Sequence, residues 1–180
     1  MTRVGMIDEK IAIPAGVTVT YKEGVLTVKG KAGTLTRKLA HPRVKVELSG
    51  KEIHISCEEP KRREAAVAGT IMSHILNMLH GAAQPYEYKM KIVYSHFPIK
   101  TAVKGNFFHV ENFLGEKAPR KAKILSDTKI VVKGDEVFLT GPDVENVSQT
   151  AANIEKATRI KDRDLRIFQD GVFITKKGSR

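Results

Sequence analysis

Six His, one Cys and twenty acids are the side chains in this 180-residue sequence that could make or break bonds. Nucleophilic or metal catalysis needs such groups to converge in a few fixed spacings. His41, His54, His74, His80, His96 and His109 are scattered along the chain. His74 and His80 are six apart, which puts them on different sides of a helix. His54 and Cys57 are three apart near a strand end, so they do not aim at one metal. No CxxC, HExxH, P-loop, GxGxxG or GxSxG occurs. Each His is therefore read as a surface or half-buried residue, and Cys57 as a small buried or strand-end one. The expectation is a protein that is not an enzyme, with no cofactor, no metal site and no small-molecule substrate.

The positive signal is basic. "GEKAPRKAK" (115–123) holds four bases and one acid, with Pro119 stiffening it. "KATRIKDRDLR" (156–166) holds five bases and two acids, and the tail "TKKGSR" holds three bases. Lys and Arg number 31 against 20 acids, a net charge of +11. Such a surface attracts polyanions, of which nucleic acid is the commonest large one. Bases held on a rigid scaffold reach phosphates in fixed positions. Phe113 and Phe168 lie beside basic clusters, but no aromatic pair of the RNP type is present. The expected target is folded RNA met by shape and phosphate. Three readings stay open beside it at this point: charge that serves solubility alone, an RNA-processing enzyme, and a module for a membrane surface or an acidic protein.

Two similar phrases show what positions these residues. "VKVELSGKEIHIS" begins at Val44 and "KIVVKGDEVFLTG" at Lys129. At an offset of 84, Gly50 meets Gly134, Glu52 meets Glu136, Ile53 meets Val137 and Ile55 meets Leu139. Each phrase reads as strand, tight turn and strand. Each is followed by a helical pattern: Val67, Ile71, Ile75 and Met78 in the first, Val144, Val147, Ala151 and Ile154 in the second. Gly81 is the expected C-terminal stop of the first helix. Pro142 is expected at the first helical position of the second, with Asp143 and Glu145 at its positive end and Lys156 and Arg159 at its negative end.

Upstream, Val28 meets Val110 and Gly33 meets Gly115 at an offset of 82. "VTVTY" and "VLTVKG" flank Lys22-Glu23-Gly24 as an earlier hairpin. The pattern predicts an α+β fold of two duplicated domains, each a small antiparallel sheet packed on one α-helix. The domains are placed at 1–81 and 82–180, with the boundary between Gly81 and Tyr86. Tyr86, Tyr88, Met90, Ile92 and Tyr94 alternate onto one face of a long strand that opens the second. One cysteine fits a reducing, cytosolic setting. No run is long enough to cross a membrane as a helix, and "MTRVGMIDEK" shows no signal-peptide core.

"ENFLGEKAPRKAKI", "SQTAANIEKATRIKDRDLRIFQDGVFI", "EYKMKIVYSHFPI" and "GTLTRKL" together resemble the large-subunit ribosomal protein L6 (uL6) family in its archaeal and eukaryotic form. The resemblance spans essentially the whole chain. The turn "GAAQPYEY" departs from the family, which usually carries a Gly-rich, Thr-containing stretch there. The resemblance implies a structural constituent of the large ribosomal subunit, cytoplasmic and in the ribosome. It implies binding to 23S-type rRNA near the sarcin–ricin loop, where translation factors dock, with other large-subunit proteins as neighbours and no membrane partner. By matching motif, Asn112, Lys117, Arg120, Lys121, Lys123, Arg159, Lys161, Arg163, Arg166, Lys176 and Lys177 would face RNA, mostly from the second domain, with the "TRKL" loop a lesser candidate.

Overall fold

A computed structural model describes residues 5–178. The chain divides into two compact units, the first running to Pro85 and the second starting at Tyr86.

Among the described residues the first unit has six strands and a helix: β1 (Met6–Ala12), β2 (Thr18–Lys22), β3 (Val25–Lys29), β4 (Thr34–Lys38), β5 (Lys45–Ser49), β6 (Glu52–Glu58) and α1 (Arg62–Ala83). The strands divide between two antiparallel sheets, β1-β6-β5 and β2-β3-β4. Alternation decides what each strand buries. On β6, Ile53, Ile55 and Cys57 are buried, while His54 and Ser56 turn the other way. Ala68, Ile71, Ile75 and Met78 of α1 close the core over them, with Val67 only partly buried.

The second unit repeats this order and adds a strand. It contains β7 (Tyr86–Val93), β8 (Lys100–Lys104), β9 (Phe107–Glu111), β10 (Arg120–Lys123), β11 (Lys129–Lys133), β12 (Glu136–Gly141), α2 (Val144–Ala157) and β13 (Gly171–Lys176). Its sheets are β10-β9-β8 and β11-β12-β7-β13. The two hairpins that superpose by sequence, β5–β6 and β11–β12, have the same register. Ser49 pairs with Glu52 and Lys133 with Glu136, so each is closed by two residues. Gly50 and Gly134 both open that turn at φ 59°, the left-handed region that glycine enters without cost. Ile53, Ile55, Val137 and Leu139 are all buried.

Four expectations are corrected. α1 does not stop at Gly81. That glycine keeps a helical φ and is buried, and the helix runs to Ala83. Pro85 ends it, because the residue before a proline is driven out of the α region, and Gln84 sits at φ −137°, ψ 128°. Pro142 is not the first helical residue. Asp143 is the N-cap and its carboxylate accepts the Glu145 N–H at 2.9 Å, so Pro142 precedes the cap. Tyr94 falls outside β7 and is exposed, while Tyr86, Tyr88, Met90 and Ile92 are buried as expected. "TRKL" is not a loop either, since Thr36, Arg37 and Lys38 lie in β4 (Thr34–Lys38).

Candidate nucleic-acid interface

The β9–β10 connection carries the first basic cluster. At the equivalent place the first unit turns in a few residues, from Lys29 to Thr34. Here the chain takes the longer path from Glu111 to Arg120. Three residues hold positive φ: Asn112 at 58°, Leu114 at 52° and Gly115 at 78°. Asn tolerates that region because its short amide bonds locally. Asn112 Nδ2 donates to the Pro98 carbonyl at 3.1 Å, and Phe113 is fully buried. The motif resemblance puts Asn112 at RNA; in the structure its side chain braces the loop.

Arg120 does the same on a larger scale. Its Nε and one terminal nitrogen donate to the two oxygens of Glu116, a bidentate pair. The other terminal nitrogen donates to the carbonyls of Ala157 at 3.0 Å and Arg159 at 2.9 Å. Four of its five N–H groups therefore end on protein acceptors. The guanidinium also lies 4.3 Å from the centroid of the Phe113 ring. Ala157 is the last residue of α2, so Arg120 caps that helix with a cation where carbonyls lack partners. Hydrogen bonding from Arg120 holds the Glu116 carboxyl below its usual range, against partial burial, and the charges of Arg120 and Arg163 add to this. The resemblance gives Arg120 a phosphate to grip. In the structure Arg120 bolts the β9–β10 loop to the end of α2.

What the bolted frame leaves outward is Lys117, Lys121 and Lys123, all exposed and without an ion pair among the described residues. On β10, Ala122 is buried and Arg120 half-buried, so Lys121 and Lys123 lie on the outer face. Register extends that face across the sheet. Lys121 stands opposite His109 and Lys123 opposite Phe107. His109 stands opposite Ala102, Phe107 opposite Lys104 and Glu111 opposite Lys100. The outer face is thus a grid of Lys100, Lys104, Lys121 and Lys123 around His109 and an exposed Phe107. Its one acid, Glu111, is paired with Lys104 at 3.1 Å. Basic clusters in the sequence do not reveal Lys100, Lys104 and Phe107; the period-two spacing of "KTAVK" is the signal that could.

The second cluster follows α2. Arg159, Lys161, Arg163 and Arg166 are all exposed. This stretch is pinned rather than loose. Phe168 stacks on His96 with centroids 4.7 Å apart, and Arg163 lies 4.8 Å from the Phe168 centroid on the ring. Asp164 turns the chain by accepting the N–H groups of Arg166, Ile167 and Phe168. Asp170 ends it, buried, accepting from Ser95 N–H at 3.1 Å and Ser95 Oγ at 2.9 Å. The structure brings the two clusters together, through Arg120 on the Arg159 carbonyl.

Lys176 and Lys177 lie elsewhere. β13 runs antiparallel to β7 from Val93 back to Lys89, so its basic end is about 15 Å along the strand from Asp170. Lys176 is in register with Lys89, on a second outer face where Lys89 and Lys133 flank the Phe138 ring at 5.5 and 5.6 Å. Lys91 and Lys129 share that face by alternation, and none of these four belongs to a basic run in the sequence. The last tail base, Arg180, is outside the described residues.

Ser95, His96 and Asp170 test the enzymatic alternative directly. A relay needs the imidazole between hydroxyl and carboxylate, using both ring nitrogens. Here Ser95 Oγ and Asp170 Oδ1 both approach the same nitrogen, His96 Nδ1, at 3.0 and 3.5 Å. Ser95 meanwhile donates to Asp170. The group is a structural clasp. Beside it a cavity of about 640 Å³ is lined by Val93, Ile160, Leu165, Phe168 and Phe173 together with Glu155, Arg159 and Asp170, and by no His. Among the described residues no group of three His, Cys, Asp or Glu could hold a metal.

The clasp gives the unit an acid limit. Burial of Asp170 pushes its carboxyl up, but hydrogen bonds from Ser95 and His96 outweigh this and leave it below its usual 3.8. A carboxylate depressed in the folded state stabilises above the unfolded value and loses that contribution as pH falls through the folded one. The thermal midpoint should therefore fall as pH drops below about 4, and Asp170→Asn should flatten that fall. An unchanged acid limb in the variant, followed by circular dichroism melts, would show that other carboxylates set it.

The model of one protein family, described as ribosomal protein L6, matches residues 13–84 and again 97–171. The chain is 42% identical over 180 residues to the large ribosomal subunit protein uL6 of Methanococcus vannielii, covering 100% of this chain and 99% of that protein. It is 44% identical over 171 residues to the protein of that name from Haloarcula marismortui, covering 95% and 96%. With that of Methanocella arvoryzae it shares 46% over 169 residues, covering 93% and 96%. The family's repeat thus falls once on each of the two units, and the chain belongs to the ribosomal protein L6 family.

Proposed function

We propose that this chain is a structural constituent of the large ribosomal subunit, cytoplasmic with the ribosome, and binds 23S-type rRNA chiefly through its second unit. The observation that carries the proposal is the pinned basic fringe. Lys117, Lys121, Lys123, Arg159, Lys161, Arg163 and Arg166 project from a frame tied by Arg120 to the end of α2 and by the turn at Asp164. Folded rRNA crowds phosphates together, and their repulsion opposes the fold. Cations held in place offset that repulsion and release counterions. Because the frame is already ordered, little conformational entropy is lost on binding. Phosphates meet the outer grid of β8–β10 and the 159–166 segment. Lys176 and Lys177, with Lys89 and Lys133, form a separate contact face. Asn112 and Arg120 position the others. The motif resemblance supports a site on the RNA near the sarcin–ricin loop, with other large-subunit proteins adjacent and translation factors docking nearby.

In a sucrose gradient of cell lysate at moderate salt the chain should co-migrate with the large subunit. Ribonuclease should release it. Migration as a free 20 kDa protein would overturn the proposal.

A further inference from the structure

We propose that the open edge of β1 takes up an extended segment of a neighbouring protein as an added antiparallel strand. The comparison between the two units carries the idea. In the second unit, β7 is paired with β12 on one side and β13 on the other. In the first, β6 stands where β12 stands and β1 where β7 stands. The equivalence holds bond by bond. Ile13 N–H donates to Lys51 O at 2.8 Å, and Ile92 N–H to Asp135 O at 2.7 Å.

Among the described residues, no strand pairs with the far side of β1. Alternation in an antiparallel ladder turns the N–H and C=O of Asp8, Lys10 and Ala12 to that side. Glu87, Lys89 and Lys91 turn theirs to β13 in the same way. β13 buries Val172 in the core that α2 covers. Farther along the same edge of the first unit, beside Ile7 and Glu9, the counterparts of Tyr86 and Tyr88, lies a groove of about 170 Å³ lined by Ile7, Glu9, Ile55, Ala65, Gly69 and Met72. Ala65 and Gly69 are small, so α1 leaves room for a strand's side chains.

Charge specifies the occupant. By this equivalence, an offset of 79, Ile11 corresponds to the buried Met90, and Glu9 to the buried Tyr88. Glu9 therefore brings a carboxylate to an otherwise apolar groove. A strand with aliphatic residues facing Ile13 and Ile11, and Arg or Lys facing Glu9, completes the sheet and pairs the charge. Main-chain hydrogen bonds supply the affinity of such strand addition, and side-chain pockets supply the choice of partner. An inward charge also keeps uncharged edges from adding at random, so Glu9 both rejects and selects.

The test does not depend on rRNA binding. A fluorescein-labelled peptide Val-Thr-Ile-Thr-Arg-Thr is titrated into the full-length chain and followed by anisotropy. Saturable binding is expected, weakened about tenfold, or 1.4 kcal/mol, by Glu9→Lys and by the peptide with Asp in place of Arg. Lys10→Pro removes one outward N–H without touching a bond to β6, and should weaken binding comparably while circular dichroism stays unchanged. No saturable binding, or binding indifferent to both Glu9→Lys and Lys10→Pro, overturns the proposal. So does a labelled oligoribonucleotide whose binding, in place of the peptide's, is lost in Lys10→Pro, since that assigns the edge to RNA.

Discussion

Arg120→Ala lowers the stability of the second unit by about 2–3 kcal/mol and leaves the salt dependence of RNA binding unchanged. The substitution removes the bidentate pair with Glu116, both carbonyl bonds at the end of α2 and the packing over Phe113. Glu116 is left without its principal partner, and the Ala157 and Arg159 carbonyls are returned to water. The Arg120 side chain is about a quarter exposed at 24%, so the loss stays at the lower end of the range for buried pairs. For a unit of this size that loss lowers the thermal midpoint by roughly 10–20 °C. Lys is not an adequate replacement, because one ammonium cannot reach a carboxylate bidentately and two carbonyls together. A phosphate-gripping Arg120 would show the reverse pattern, with stability unchanged and a shallower salt slope. Thermal melts and filter binding on the same preparation separate the two.

The combined change Lys117→Ala, Lys121→Ala and Lys123→Ala has its largest effect on binding. None of the three has an ion pair among the described residues, and all are exposed, so stability should stay within about 0.5 kcal/mol per site. Removing one lysine–phosphate pair lowers the slope of log K against log salt by about 1, so the triple variant should bind with a slope shallower by about 3. The weakening should be similar for RNAs of different sequence, because phosphates carry no base identity. A triple variant with an unaltered slope would remove the β10 edge from the proposed interface and leave the 159–166 segment to carry it.

Much of this is legible in the chain because it depends on local pattern. The offset of 84 predicts two hairpins, and both form with the same register and the same φ at Gly50 and Gly134. Apolar alternation locates the buried face of β7 from Tyr86 to Ile92. The basic clusters are legible for the same reason, as runs within a few residues. The motif resemblance points to the ribosomal protein L6 family, to which the matches on residues 13–84 and 97–171 assign the chain.

The sequence by itself determined the duplicated α+β plan, the basic character and the family, since composition, period and turn glycines act over distances of a few residues. Tertiary structure alone decided which bases end on protein acceptors and which stand exposed. Arg120 finds acceptors 37 and 39 positions away, and Asp170 finds Ser95 75 positions away. Register across three strands, not proximity in the chain, put Lys100 and Lys104 on one face with Lys121 and Lys123. A guanidinium in the sequence is only a donor, and where it donates is set by which carbonyls the fold delivers to it.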